Sequence, residues 1–188
     1  MQLKKIAALA LTAGFGLMAQ AHATELNIAA DGQWHEFNVD DWSAISGGTE
    51  WIDFNDSNSP GFGSALSFTF TIDAGYQGKL TVVDAGFAGD RFQIFSNGHS
   101  IGFTSVTGNS TDYSEDFTAN LTNSHFSSGV FALAAGTYTI TGKLSETLQA
   151  FNATNGALKL ETSAVPVPGA FGLFAAATGL LAIARRRV

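Results

Sequence analysis

The chain has 188 residues, no cysteine, 16 acidic against nine basic side chains, and a formal net charge of −7. That balance argues against nucleic-acid binding, which needs Lys and Arg to neutralise phosphates. The absence of thiols excludes disulfide staples and thiolate metal centres.

The N-terminus opens with Lys4 and Lys5, followed by an apolar run over residues 6–18 and then Ala21-His22-Ala23. A basic region, a short apolar core and a small-x-small site form a secretory signal peptide. Residues 1–23 are assigned to it, with Ala21 and Ala23 as the cleavage signal and the cut after Ala23. The mature body, residues 24–164, then carries Lys79, Arg91, Lys143 and Lys159 as its only Lys and Arg, against all 16 acidic residues. It is more acidic than the chain as a whole. One domain of this size buries a sizeable core.

The body reads as strands. Expected segments are 25–29, 34–39, 50–54, 66–72, 79–84, 91–96, 100–104, 129–133, 137–141 and 144–151, followed by the Leu158/Leu160 alternation. Leu66, Phe68, Phe70 and Ile72 alternate with Ser67, Thr69, Thr71 and Asp73. That is period 2, with one apolar and one hydroxylated face. Tyr138 and Ile140 alternate with Thr137, Thr139 and Thr141 in the same way. Gly, Asn and Asp punctuate the strands, and Asn97-Gly98 and Asn155-Gly156 are two-residue hairpin signals. Residues 113–124 fit either a strand or a short helix capped by Ser114. The whole reads as all-β, a single antiparallel β-sandwich, jelly-roll-like.

The body offers little chemistry. His35, His99 and His125 are scattered, without zinc-ligand spacing. Asp84 and Asp90 bracket a Gly-rich turn, and Asp53, Asn55, Asp56 and Asn58 form a second oxygen-rich cluster. Asp and Asn in such places mostly bond their own backbone. The less ordinary readings are calcium held by oxygen ligands and a carboxylate pair for glycoside hydrolysis. Trp34, Trp42 and Trp51 fit a sugar-stacking platform or the core. No catalytic residue, metal site or cofactor is assigned. A stretch from Asp84 to Gly98 with Ile101-Gly102, and a second from Phe126 to Ile140, resemble segments of exported proteins that bear the tail described next.

The C-terminus reads Val165-Pro166-Val167-Pro168-Gly169-Ala170, an apolar run over residues 171–184, then Arg185, Arg186 and Arg187. Twenty uncharged residues, 165–184, span about 30 Å as a helix, the thickness of a bilayer core. The Arg cluster is a cytoplasmic stop, which puts the body on the opposite side of the membrane. Residues 165–188 together resemble a PEP-CTERM protein-sorting domain, with Val167 where that family most often has Glu. The resemblance implies recognition of the motif by an exosortase-type membrane processing enzyme, in a Gram-negative bacterium that makes exopolysaccharide. It further implies an inner-membrane intermediate, with release or transfer of the body to the cell surface or matrix. The expectation is an exported, non-enzymatic surface or matrix protein with a structural role in biofilm or floc. The alternative is a carbohydrate-binding module that retains exopolysaccharide, with calcium assistance as one form of that reading.

Overall fold

The computed structural model describes residues 23–108 and 110–166. The strands are β1 (Thr24–Asn27), β2 (His35–Asp40), β3 (Leu66–Ile72), β4 (Tyr76–Phe87), β5 (Arg91–Ser96), β6 (His99–Phe103), β7 (Tyr113–Ser114), β8 (Ser128–Leu133), β9 (Gly136–Glu146) and β10 (Ala153–Ala164). One four-residue helix, α1 (Phe117–Asn120), lies between β7 and β8. The signal-peptide segment before Ala23 and residues 167–184 of the expected membrane span lie outside the described residues. Among the described residues no helix is long and apolar enough to cross a membrane.

Two sheets pack face to face. One runs β1-β3-β9-β5-β6. The other runs β2-β10-β4, with β8 and then β7 along the free edge of β4. Setting β1 and β7 aside, the order 3-9-5-6 lies over 2-10-4-8, so successive strands from β2 to β5 alternate between the sheets. Among the described residues the ladders are antiparallel with one exception: β1 pairs with β3 in parallel. Purely antiparallel pairing was the expectation. β1 enters alongside β3 in the same direction because a long excursion, not a hairpin, separates them.

The period-2 reading of β3 holds residue by residue. Leu66, Phe68, Phe70 and Ile72 are buried, and Ser67, Thr69 and Thr71 face outward. Ile140 and Leu144 of β9, Phe92 and Ile94 of β5, Leu80 and Val82 of β4, Phe37 and Val39 of β2, and Leu158 and Leu160 of β10 complete the interior.

Its centre is Trp51. The indole stacks on Phe37 with ring centroids 3.9 Å apart and meets Phe68 and Phe92 edge-on. Its other face lies on Gly142 of β9, where a Cβ would overlap the ring. Residues 50–54 are not a continuous strand, contrary to expectation, because their hydrogen bonds are divided. Trp51 N–H donates to Gly142 O in one sheet at 2.9 Å, and Ile52 N–H donates to Asn38 O in the other at 2.8 Å. The segment sews the two sheets together along one side.

Two other sequence signals resolve differently. Asn97-Gly98 is a hairpin turn between β5 and β6, with φ of 49° and 79°. That is the left-handed pair a tight hairpin requires. Asn155-Gly156 is not a turn but part of β10, paired on both sides. Gly156 is there for space: a Cβ would come within 2.6 Å of both Phe37 Cζ and Val83 O. Beyond Glu146 the expected strand 144–151 gives way to a loop. Residues 113–124 combine both readings, a two-residue strand and then α1, whose cap is Asp116 and not Ser114.

Gly142→Ala should lower stability by about 1–3 kcal/mol through overpacking against Trp51. Gly108→Ala, whose Cβ would meet nothing within 4 Å, should leave the urea midpoint unchanged and serves as the control.

Candidate functional site

The most unusual polar group in the fold sits at one end of the sandwich. Along β4 the inward positions run Leu80, Val82, Asp84, so the alternation that buries two aliphatic side chains also buries a carboxylate. Asp84 is 0% exposed. The strand continues to Phe87, and the chain then turns at residues 88–89 and returns Asp90, 1% exposed, to the same place. Gly89 makes the return possible with φ of 117°, and a Cβ there would crowd Leu148 at 2.9 Å. Only glycine adopts that backbone freely.

The two carboxylates are poorly satisfied. Asp84 Oδ2 accepts the backbone N–H groups of Gly89 and Asp90, both at 3.2 Å. Asp84 Oδ1 and both carboxylate oxygens of Asp90 are buried without a hydrogen-bond partner. Thr147 and Thr154 bring hydroxyls beside Asp90 and pull its pKa down somewhat, yet neither completes a bond of ordinary geometry. No ion pair among the described residues involves either carboxylate. The neighbouring cation is committed elsewhere: Arg91 Nε–H donates to Thr104 O at 3.1 Å, and its Nη1 pairs with Glu146 at 2.7 Å.

Burial, with the adjacent charge of Asp90 adding to it, pushes Asp84 from 3.8 up to about 8. Burial also raises Asp90. Removing a carboxylate from water without a counter-charge favours its neutral form. The surrounding polar groups extend the network. Asn120 of α1 donates to Asp84 O at 3.1 Å, and Ser127 Oγ donates to Thr104 Oγ1 at 2.8 Å.

The three tryptophans separate. Trp51 is core and cannot form part of a platform. Trp34 is half-buried: its indole N–H donates to Thr118 Oγ1, its ring packs on Phe117, and Lys159 lies over it. Trp42 is 94% exposed, on a turn in which Asp40 Oδ1 accepts the Trp42 N–H at 3.0 Å. Next to that turn, on the outer face of the β2–β10 pair, lies an open groove of about 300 Å³. Its lining includes Glu36, Asn38, Asp40, Phe54, Glu115 and Asn155.

The remaining polar clusters are ordinary. Asp53 and Asp56 accept the backbone N–H groups of Asn55 and Asn58, which is turn chemistry. His125 touches both Ser110 and Asp112, a grouping that sequence spacing did not suggest. Both contacts fall on the same ring nitrogen, Nδ1. A relay from carboxylate through imidazole to hydroxyl needs the two different nitrogens, so the arrangement is not a nucleophilic triad. Among the described residues no three or more His, Cys, Asp or Glu gather as metal ligands.

Of the sorting residues, Val165 and Pro166 are described. Val165 N–H donates to Gly75 O at 2.8 Å, next to the end of β10, and Pro166 is exposed. Val167, Pro168, Gly169, Ala170, Arg185, Arg186, Arg187 and Ala21 lie outside the described residues.

No family model and no curated protein matches the chain. Among solved structures, the pre-peptidase C-terminal domain of a collagenase from Bacillus anthracis is similar at a TM-score of 0.38 and 8% identity, covering 74% of this chain and 95% of that one. PliG of Aeromonas hydrophila, a periplasmic inhibitor of g-type lysozyme, is similar at 0.34 and 12%, covering 75% and 97%. Neither likeness is close enough to bear on function.

The acid pair makes stability depend on pH. A carboxyl whose pKa is raised by folding keeps a proton that the unfolded chain has released. Its contribution is therefore full below the ordinary carboxylate pKa and is lost as pH rises toward about 8. In buffer freed of divalent cations, the thermal midpoint should fall by roughly 5 °C or more between pH 5 and pH 8. Asp84→Asn should flatten most of that slope, as read by circular dichroism melts across the pH series.

Proposed function

We propose that this is an exported, non-enzymatic cell-surface or extracellular-matrix protein, sorted through its C-terminal tail, with a structural role in biofilm or floc formation. One observation carries the reading. The sandwich begins at Thr24 and ends at Ala164, and its core draws on residues from Ile28 to Leu160. Outside those bounds, the two ends of the chain carry the composition of an export signal and a sorting signal.

On this reading the signal peptide directs export. The helix of residues 171–184 holds an inner-membrane intermediate, and Arg185, Arg186 and Arg187 keep its end in the cytoplasm. An exosortase-type enzyme then acts at the segment from Val165 to Ala170. That segment starts at the rim of the sandwich with no intervening linker, so the processing enzyme works close against the folded body.

A second reading, carbohydrate binding, is favoured by a specific feature. Trp42 presents an indole to solvent beside an acidic, Asn-lined groove. Exposed aromatics with nearby hydrogen-bonding groups suit the apolar face and hydroxyl rim of a sugar. Exopolysaccharide is the partner this implies.

Deletion of residues 165–188 should divert the protein from the cell surface to the soluble exported fraction, followed by fractionation and intact mass. Unchanged processing and display would refute the sorting reading. For the second reading, Trp42→Ala should weaken pull-down on purified cell-surface polysaccharide by about tenfold, a typical cost for one stacking aromatic. Trp34→Ala should change it little, because that ring is already engaged with Phe117 and Lys159.

A further inference from the structure

We propose that the buried acid pair at the end of the sandwich is a calcium site, with Asp84 and Asp90 as its charged ligands and the hydroxyls of Thr147 and Thr154 as neutral ones. The inference is independent of how the tail is processed.

Three oxygens carry it. Asp84 Oδ1, Asp90 Oδ1 and Asp90 Oδ2 are all buried and unpartnered, on side chains at most 1% exposed. Buried polar atoms in folded proteins nearly always have partners, so a concentration of orphans on two adjacent carboxylates marks a missing counterpart. A cation compensates both carboxylates at once, where a single proton neutralises one of them. Among the described residues no side chain supplies that cation, since Arg91 points to Glu146 and Thr104.

The chemistry of the surroundings selects the ion. The nearby donors are oxygens throughout. The Thr154 hydroxyl donates to the carbonyl oxygen of Ala85 at 3.5 Å. There is no thiol in the chain, and Thr147 and Thr154 bring hydroxyls beside Asp90. Zinc favours nitrogen and sulfur. Magnesium demands near-ideal octahedral geometry and retains water. Calcium takes six to eight oxygens in flexible geometry and mixes carboxylate, carbonyl and hydroxyl ligands. Two carboxylates therefore suffice, where a transition-metal centre would gather three or more His, Cys, Asp or Glu.

The position gives the ion a structural task. Asp84 belongs to β4, Asp90 immediately precedes β5, and Thr147 and Thr154 belong to the loop and strand that follow β9. A cation there ties the crossover between the two sheets to the closing loop. Calcium at extracellular concentrations would stiffen the sandwich after export.

The test uses the full-length chain purified in detergent and stripped with EGTA. Isothermal titration with calcium chloride should give one site per chain, and 1 mM calcium should raise the thermal midpoint by roughly 5 °C or more. Equimolar magnesium should give a smaller shift. Asp84→Asn and Asp90→Asn should each lose the calcium response, and the milder Thr147→Ala should weaken binding several-fold. No calcium uptake by the wild type, with equal midpoints in EGTA and calcium, overturns the proposal and leaves a shared proton between the two acids. Undiminished binding by both Asn variants also overturns it, by placing the ion elsewhere. If both Asn variants fail to fold, wild-type stoichiometry together with weakened binding by Thr147→Ala supports the site, and unchanged binding by that variant overturns it.

Discussion

The sandwich depends on one aromatic contact. Trp51 is held between Gly142 of one sheet and Phe37 of the other, and its indole fills the gap between them. The spacing of two packed sheets is set by the side chains between them. Here a ring lies flat on bare backbone on one side and stacks on a second ring on the other. The segment carrying Trp51 adds direction to this contact, because its backbone bonds to β9 and to β2 at once. Phe68 and Phe92 then close edge-on around the indole. Aromatic packing of this kind contributes a large apolar area together with preferred geometry, and a chain without disulfides relies on it.

The same alternation that builds this core produces its polar end. Leu80, Val82 and Asp84 share one face of β4, so the strand delivers a carboxylate inward as reliably as it delivers a leucine. The Gly-rich turn brings Asp90 to meet it. Two acids in that position destabilise the fold unless a proton or a cation accompanies them. The sandwich therefore holds an apolar centre and an electrostatically demanding end. That end is where loops from both sheets converge.

Outside the core, the surfaces divide by chemistry. The outer face of the β3–β9 pair carries Thr69 and Thr71 opposite Thr139 and Thr137, with Thr71 and Thr137 hydroxyls 3.2 Å apart. Two rows that look isolated in the sequence are neighbours across a ladder, an arrangement that β-propensity alone accounts for. The opposite outer face holds the acidic groove and the exposed Trp42. An acidic sandwich that presents an exposed tryptophan on one outer face is compatible with the proposed surface role.

The sequence by itself determined the fold class and most strand positions. Alternation in 66–72 and 137–141 is a local property, and a strand buried on one face must show it. It also determined the Asn97-Gly98 turn, because left-handed backbone restricts residue choice locally. It did not determine the fate of Asn155-Gly156, whose glycine answers to Phe37 and Val83 from distant parts of the chain, nor the parallel entry of β1. It could not sort three tryptophans into core, half-buried and exposed, since each sits among similar neighbours in the chain. Asp84 and Asp90 were legible as a pair around a turn, which is also how ordinary turn residues look. Only the tertiary structure decided that both are buried with oxygens unpartnered, because burial depends on what the other sheet and the 147–154 segment place over them.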